Sequence, residues 1–152
     1  MSIKIKHSDK SQLFLQSIKN YRNMSTLVSQ TEKVTIEEQS DVQAAMITFH
    51  GSLKSEEYRA AMLANYDLCK QPQIKNWLQN NSDAGVLSLD DQKWVSEILI
   101  PQAAQEVEKI AVVVSKDVFR KFAAKNILEK QKGKLNFQYF NSLQDAKAWL
   151  KS

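Results

Sequence analysis

The segment KIAVVVS, Lys109 to Ser115, decides the fold of this chain. It is a continuous run of apolar, mostly β-branched residues between a lysine and a serine. Such a run is typical of a strand that is covered on both faces, as strands are at the centre of a parallel sheet. Parallel strands need long crossover connections, usually helices, so the segment predicts an α/β protein.

Strand and helix patterns alternate on both sides of this segment. Further strand patterns occupy residues 33–38, 42–51, 74–79 and 135–140. Apolar residues at helical spacing follow at 58–69, 94–99, 118–127 and 146–150. Gln39 to Asp41 is too short for a crossover, which predicts an antiparallel hairpin. The sequence therefore predicts a single-domain α/β fold whose mixed β-sheet, an N-terminal hairpin and then βαβ crossovers, is flanked by about four helices.

Serine residues mark the starts of three predicted helices. A serine hydroxyl at the N-cap accepts a hydrogen bond from a free backbone N–H of the first turn, and a carboxylate three residues later favours the same start. The predicted caps are Ser52 or Ser55, Ser88 with Asp91, and Ser142 with Asp145. Pro101 is expected to kink or end the helix that begins near Ser88.

The charge of the chain is concentrated at its N-terminus. Residues 1–22 hold five basic side chains and one acidic one, which accounts for the whole net charge of +4. We therefore interpret residues 1–23 as a basic extension and residues 24–152 as the folded domain. Because the domain itself is neutral overall, it is not expected to bind nucleic acid. The lysines and arginines between Lys116 and Lys134 are interpreted as a solvated helix face and the turn after it.

The composition argues against several other classes of protein. The single Cys69 cannot form an internal disulfide, which indicates a cytoplasmic location. No apolar run approaches the roughly 20 residues of a membrane span. No His/Cys pair has metal-ligand spacing, and three glycines cannot supply a phosphate-binding or dinucleotide-binding loop. The expectation is no metal, no cofactor and no integral membrane segment.

Four segments, in this order, resemble small bacterial STAS-like proteins of the SpoIIAA-like or STAS/SEC14 type. They are ITFHGSLKSEEYRAAM, IKNWLQNNSDAGVLSLDDQKWV, KIAVVVSKDVF and FNSLQDAKAWL. The resemblance covers roughly residues 31–151 and implies a STAS-type sheet with helices, and no defined activity. In anti-sigma-factor antagonists, the loop after the middle strand carries Asp-Ser-x-Gly, with a phosphorylatable serine that caps the next helix. Here Asn80 to Gly85 contain serine and glycine in a different order.

The candidate site is the polar loop from Asn80 to Ser88. Ligands of open α/β sheets collect beyond the carboxyl ends of the parallel strands, where this loop and the ends of two neighbouring strands are expected to meet. The candidate ligand-binding residues are His50, Asn80, Asn81, Ser82, Asp83, Ser88, Ser115 and Lys116. The alternative interpretation is that asparagine, serine, aspartate and glycine here only form a turn.

These features favour a non-enzymatic regulatory or binding module that recognises a protein partner or a small anionic ligand at the strand-end loops. One alternative is a phosphorylation-controlled switch at Ser82 or Ser88. Another is a small hydrolase-type enzyme that uses His50 with Asp83 or Ser115, provided that these side chains converge. The sequence leaves open whether an exposed edge strand pairs two copies into a homodimer.

Overall fold

The computed structural model describes residues 10–13, 24–122 and 136–152. Six strands form one sheet in the order β1-β2-β3-β4-β5-β6. The strands are β1 Ser25–Gln30, β2 Val34–Gln39, β3 Ala44–Gly51, β4 Asn76–Ala84, β5 Lys109–Val113 and β6 Phe137–Phe140. Strand β2 pairs antiparallel with both β1 and β3, and β3 to β6 run parallel. The predicted α/β class, with a hairpin followed by crossovers, is confirmed.

Strand β1 was not predicted from the sequence. Its residues are mostly exposed, so the sequence carries no buried, period-two pattern that would reveal a strand. A β-bulge between Leu27 and Ser29 further breaks the alternation. The hairpin of β2 and β3 is confirmed, and a 3₁₀ turn (Ser40–Val42) followed by Gln43 in the left-handed conformation closes it.

Helices cover both faces of the sheet. The helices are α1 Ser55–Leu68, α2 Leu89–Trp94, α3 Ile100–Glu106, α4 over residues 116–122 and α5 Leu143–Lys151. A π turn, Val95–Leu99, joins α2 to α3. Pro101 lacks an N–H group and lies in the first turn of α3, so the helix does not end there. The wider π turn directly before it closes with a hydrogen bond from the Ile100 N–H to the Val95 carbonyl.

Two of the three predicted caps are confirmed. Ser88 Oγ accepts a hydrogen bond from the Asp91 N–H at 3.2 Å, and Ser142 Oγ accepts one from the Asp145 N–H at 3.1 Å. The prediction for α1 was wrong, because Lys54 is its N-cap residue and makes no side-chain cap. Ser55 instead donates its hydroxyl hydrogen to Asp91 at 2.7 Å.

Alternating side chains of the strands form two apolar cores, one on each face. The larger core packs α1 and α3 against the sheet through residues such as Phe49, Met62 and Trp77. The smaller core lies under α5 and includes Met46 and Leu78. Two-sided burial is what the apolar sequence of β5 predicted.

Several sequence predictions lie outside the described residues. These are most of the N-terminal extension, the part of the third helical stripe (118–127) beyond Phe122, and the basic residues from Lys125 to Lys134. The boundary of the N-terminal extension at residue 23 stays a prediction.

Candidate functional site

Strand β4 extends farther than its sequence indicates. It was predicted to end at Gln79, yet it continues through Asn80–Asp83 to Ala84 and pairs in parallel with β3. An extra residue on β4 bulges between the pairs Thr48–Asn80 and His50–Asp83. The residue types of this segment are those common in turns. Its main chain nevertheless hydrogen-bonds to β3, and side-chain type does not encode that pairing. The loop is therefore limited to residues 85–88.

A row of polar side chains runs along the α1 face of β4. Trp77 Nε1 donates to Gln79 Oε1 at 3.0 Å, and Gln79 Nε2 donates to Asn81 Oδ1 at 3.0 Å. Burial raises the pKa of the Tyr58 hydroxyl far above its usual range, the negative charge of Asp91 adds to this, and a hydrogen bond with Gln79 opposes it. The row leads from the core to the strand end.

The row ends at a small hollow of about 60 Å³ between the ends of β3 and β4. Its floor includes the rings of Phe49 and Tyr58, whose centroids are 5.2 Å apart, and the side chain of Asn81. Two backbone segments, Gly51–Leu53 and Ala84–Leu87, form its walls. This volume holds a few water molecules or one small chemical group.

The loop after β4 is anchored at both ends. The Gly85 N–H donates to the Gly51 carbonyl at 2.8 Å, and Gln92 Nε2 donates to the Leu87 carbonyl at 2.8 Å. The Leu87 side chain packs against the larger core. Val86, between the anchored residues Gly85 and Leu87, is 93% exposed, and Leu89, which follows them, is 81% exposed. The structure thus presents two apolar side chains to solvent from a fixed backbone.

Asp91 fixes the start of α2, which carries Gln92 of the second anchor. Its Oδ1 accepts hydrogen bonds from Ser55 Oγ and from Arg59 Nε, both at 2.7 Å, although the residue is buried. These bonds, first from Ser55 and then from Arg59, keep the pKa of the Asp91 carboxyl below its usual range. The Arg59 guanidinium also lies 5.1 Å from the centre of the Trp94 ring. The network ties the start of α2 to the first turns of α1.

His50 and Asp83 lie side by side at the ends of β3 and β4. His50 Nδ1 is 3.2 Å from Asp83 Oδ2, and both side chains are exposed. Because Phe49 faces α1, the alternation of the strand directs His50 to the opposite face of the sheet. His50 and Asn81 were expected to share one crevice, and the structure places them on different faces.

The other candidate residues make local contacts. Asn80 Oδ1 accepts hydrogen bonds from the backbone N–H and the hydroxyl of Ser82, at 3.1 and 2.7 Å. Ser115 Oγ accepts a hydrogen bond from the Val118 N–H at 3.3 Å and so caps α4, and Lys116 is exposed in the first turn of α4. Among the described residues, no hydrogen bond joins Ser115 to His50 or to Asp83. The eight candidate residues therefore do not form one shared notch.

Sequence reasoning missed several residues of the hollow and its rim. Tyr58 and Gln79 were assigned only to a helix stripe and a strand, and Val86 and Leu89 were not singled out at all. The available signal was the segment VLSL, in which apolar residues surround the predicted cap Ser88 directly after a run of turn-forming residues. The described residues contain no group of three or more His, Cys, Asp or Glu side chains arranged for a metal ion. They also contain no helix long and apolar enough to cross a membrane.

Comparison with known proteins agrees with the architecture. No curated protein matches the chain. A solved structure of an uncharacterised DUF3478-family protein with a SpoIIAA-like fold, from Shewanella loihica PV-4, is 18% identical to this chain. The alignment covers 83% of this chain and 91% of that one, with a TM-score of 0.51, so the two share a fold. Residues 44–151, from the start of β3 to the end of α5, match the SpoIIAA-like family, and the chain therefore belongs to that family.

Proposed function

We propose that this SpoIIAA-like domain is a non-enzymatic binding module that recognises a protein partner through its strand-end surface. The strand-end surface is defined here as Gly51–Leu53 and Ala84–Leu89, which comprise the walls of the hollow, the loop that follows β4 and the first residue of α2. A regulatory or binding role is the coarse expectation for a domain of this fold. The features of this chain's own surface support the more specific proposal.

The observation that carries the proposal is the nearly complete exposure of Val86, on the anchored loop, and of Leu89, at the start of α2. Isolated exposed apolar residues are common on protein surfaces and need no explanation. These two differ because Val86 lines the hollow, and because Leu87, which lies between them in sequence, packs its side chain against the core and fixes the backbone. Apolar side chains beside a hollow are the arrangement of a small interface centre.

Anchoring of the loop favours binding energetically. A partner that buries a flexible loop must order its backbone, at a cost of about 1–2 kcal/mol for each residue fixed. Here the bonds of Gly85 to Gly51 and of Gln92 to Leu87, and the cap at Ser88, have already fixed that backbone. The free energy of burying Val86 and Leu89 would therefore appear in the affinity with little loss.

The charge around the loop favours a protein partner over a small anion. Asp90 is exposed directly after the loop, and the Asp91 N–H is already occupied by Ser88 Oγ. An anion placed there would meet the Asp90 carboxylate and find that N–H occupied, while a protein could bring an apolar contact bordered by basic side chains. The partner class that fits is a protein with an apolar patch flanked by lysine or arginine.

The test is affinity capture from lysate of the native cells, with wild-type protein and the double variant V86E/L89E as baits. The control variant is I98E, because Ile98 is an apolar residue that is 49% exposed but lies in the π turn, outside the strand-end surface. The proposal expects a protein that the wild type and I98E retain and V86E/L89E loses. Equal retention by all three baits would contradict the proposal. Calorimetry with phosphate or nucleotides then tests the anionic alternative.

A second candidate function is supported by the contact between His50 and Asp83. A carboxylate next to a histidine can orient the ring for general base chemistry. Both groups lie in open solvent, however, and the hydroxyl of Ser82, which precedes Asp83 in sequence, donates to Asn80. Hydrolysis of model esters that the H50A variant abolishes would support this alternative, and rates identical to wild type would remove it.

A phosphorylation switch stays an alternative mode of regulation. Ser88 is the N-cap of α2 and lies within the strand-end surface, while Ser82 belongs to β4. A phosphate on Ser88 would be placed next to Asp90 and Asp91, so like-charge repulsion would disturb the loop. Mass spectrometry of the protein from its native cells tests both serines.

A further inference from the structure

We propose that the outer edge of β1 is a self-association surface, at which two copies of this chain pair their β1 strands antiparallel into one continuous sheet. This surface lies at the edge of the sheet and is separate from the strand-end surface. It also precedes residues 44–151, the part of the chain that matches the SpoIIAA-like family.

The edge of β1 is open. Within the described part of the chain, β1 pairs only with β2, so one row of its backbone N–H and C=O groups has no strand partner. Leu27 and Val28, in the middle of the strand, are 57% and 53% exposed, and Met24 just before it is also exposed. An open edge with apolar side chains is a template for pairing with another strand.

The edge lacks the charges that usually prevent such pairing. Natural edge strands are protected by lysine, by proline or by inward-pointing charges. The segment from Met24 to Thr31 reads MSTLVSQT and contains no charged residue and no proline. A second copy brings the same neutral edge, so antiparallel pairing about a two-fold axis places no like charges opposite each other. This self-compatibility is why we assign the occupant as another copy of the chain.

The bulge between Leu27 and Ser29 limits the strength of the contact. A bulge bends the strand and removes one residue from regular pairing, and β1 has only six residues. The paired area is therefore at the low end of specific interfaces, which are often transient. The expected dimer is weak and depends on protein concentration.

Sedimentation velocity of the full chain tests the proposal. The wild-type protein is expected to shift from monomer to dimer as its concentration rises to about 1 mM, the weak end of protein association. The L27K/V28K variant should stay monomeric at every concentration, because two positive charges then face two others across the axis. Both side chains are more than half exposed in the monomer, so these substitutions should not disturb folding, which circular dichroism can verify.

A cysteine cross-link gives a second measurement. Cys69 is the only cysteine and is buried, so a V28C variant adds one accessible thiol. Pairing centred on β1 brings the two introduced thiols together across the axis, and mild oxidation should give a covalent dimer. The matched control is V86C, whose thiol lies on the strand-end surface and should cross-link much less.

The outcomes separate this proposal from the proposed function. A dimer that L27K/V28K abolishes and V86E/L89E leaves intact supports pairing through β1, whatever the result of partner capture. A wild-type chain that stays monomeric at about 1 mM overturns it. A dimer that V86E/L89E abolishes and L27K/V28K leaves intact also overturns it, since the copies would then associate through the strand-end surface.

Discussion

Replacement of Gly85 by alanine tests the geometry of the strand-end surface. A Cβ atom at Gly85 would lie 2.7 Å from the Ser52 nitrogen and 2.8 Å from the Ser52 Cα, and it would also collide with Ser52 Oγ. Two of these atoms belong to the backbone, so no side-chain rotation can relieve the overlap. The end of β4 must therefore move away from Gly51–Ser52.

The cost of this movement follows from two contributions. Forcing an extra methyl group into a packed site typically costs about 1–3 kcal/mol. Separation of the strands also lengthens the hydrogen bond from Gly85 to Gly51, now 2.8 Å, which contributes about 1 kcal/mol. We expect G85A to lower the free energy of unfolding by about 2–4 kcal/mol, and a loss of 2 kcal/mol corresponds to a melting temperature lower by about 4–8 °C.

Urea unfolding followed by circular dichroism measures this change. The double variant G85A/S52G removes the contact with Ser52 Oγ but keeps both backbone contacts, so it should recover less than half of the lost stability. The control is G51A, since Gly51 has a φ of +70° and a Cβ there meets no atom within 4 Å. Its cost of about 1–2 kcal/mol is conformational and S52G should not change it. G85A that unfolds within about 0.5 kcal/mol of wild type would refute the close seating of the loop on Gly51–Ser52.

Three further predictions concern ionisable groups and the helix cap. D91N should be less stable than wild type at neutral pH, and because the pKa of Asp91 is lowered in the folded chain, that difference should shrink as the pH falls below about 4 in acid-unfolding curves. Burial, with a smaller contribution from the negative charge of Glu106, raises the pKa of the Cys69 thiol to about 12. The protonated thiol therefore contributes its full stability below about pH 8.5, and this contribution is lost as the pH rises. C69A should flatten the decline in stability above that pH, and an unchanged slope would contradict the assignment of this decline to Cys69. S88A should lower the melting temperature, because the Ser88 cap contributes about 1 kcal/mol. S82A, at an exposed position in the second half of β4, should not lower it. Equal melting temperatures of the two variants would show that the Ser88 cap does not stabilise the chain.

The sequence specified the buried parts of this fold. The apolar run of β5 predicted two-sided burial, and the helical stripes that lie within the described residues predicted helices on the sheet, because burial leaves a periodic pattern in the sequence. The caps at Ser88 and Ser142 could also be predicted, since they depend on residues three apart. Strand β1 and the second half of β4 could not, because their pairing is made by the main chain while most of their side chains are polar or exposed.

The candidate site was less predictable than the fold. The contacts of Asp91 with Ser55 and Arg59 join residues 36 and 32 positions apart, and no local pattern encodes them. Spacing along β3 could predict that His50 and Phe49 face opposite sides of the sheet, but the bulge in β4 changes which side chains continue each face. The expected single notch therefore divides into a hollow on one face, with Asn81, and an exposed pair on the other, His50 with Asp83.

Hydrogen exchange of the full chain, with and without a captured partner protein, tests the central claim most directly. Recognition through the strand-end surface predicts slower exchange of backbone amides in Gly51–Leu53 and Ala84–Leu89 when the partner is bound, with amides of α5 unchanged. Protection confined to α5 or to β1, with the strand-end amides exchanging as in the free chain, would contradict it.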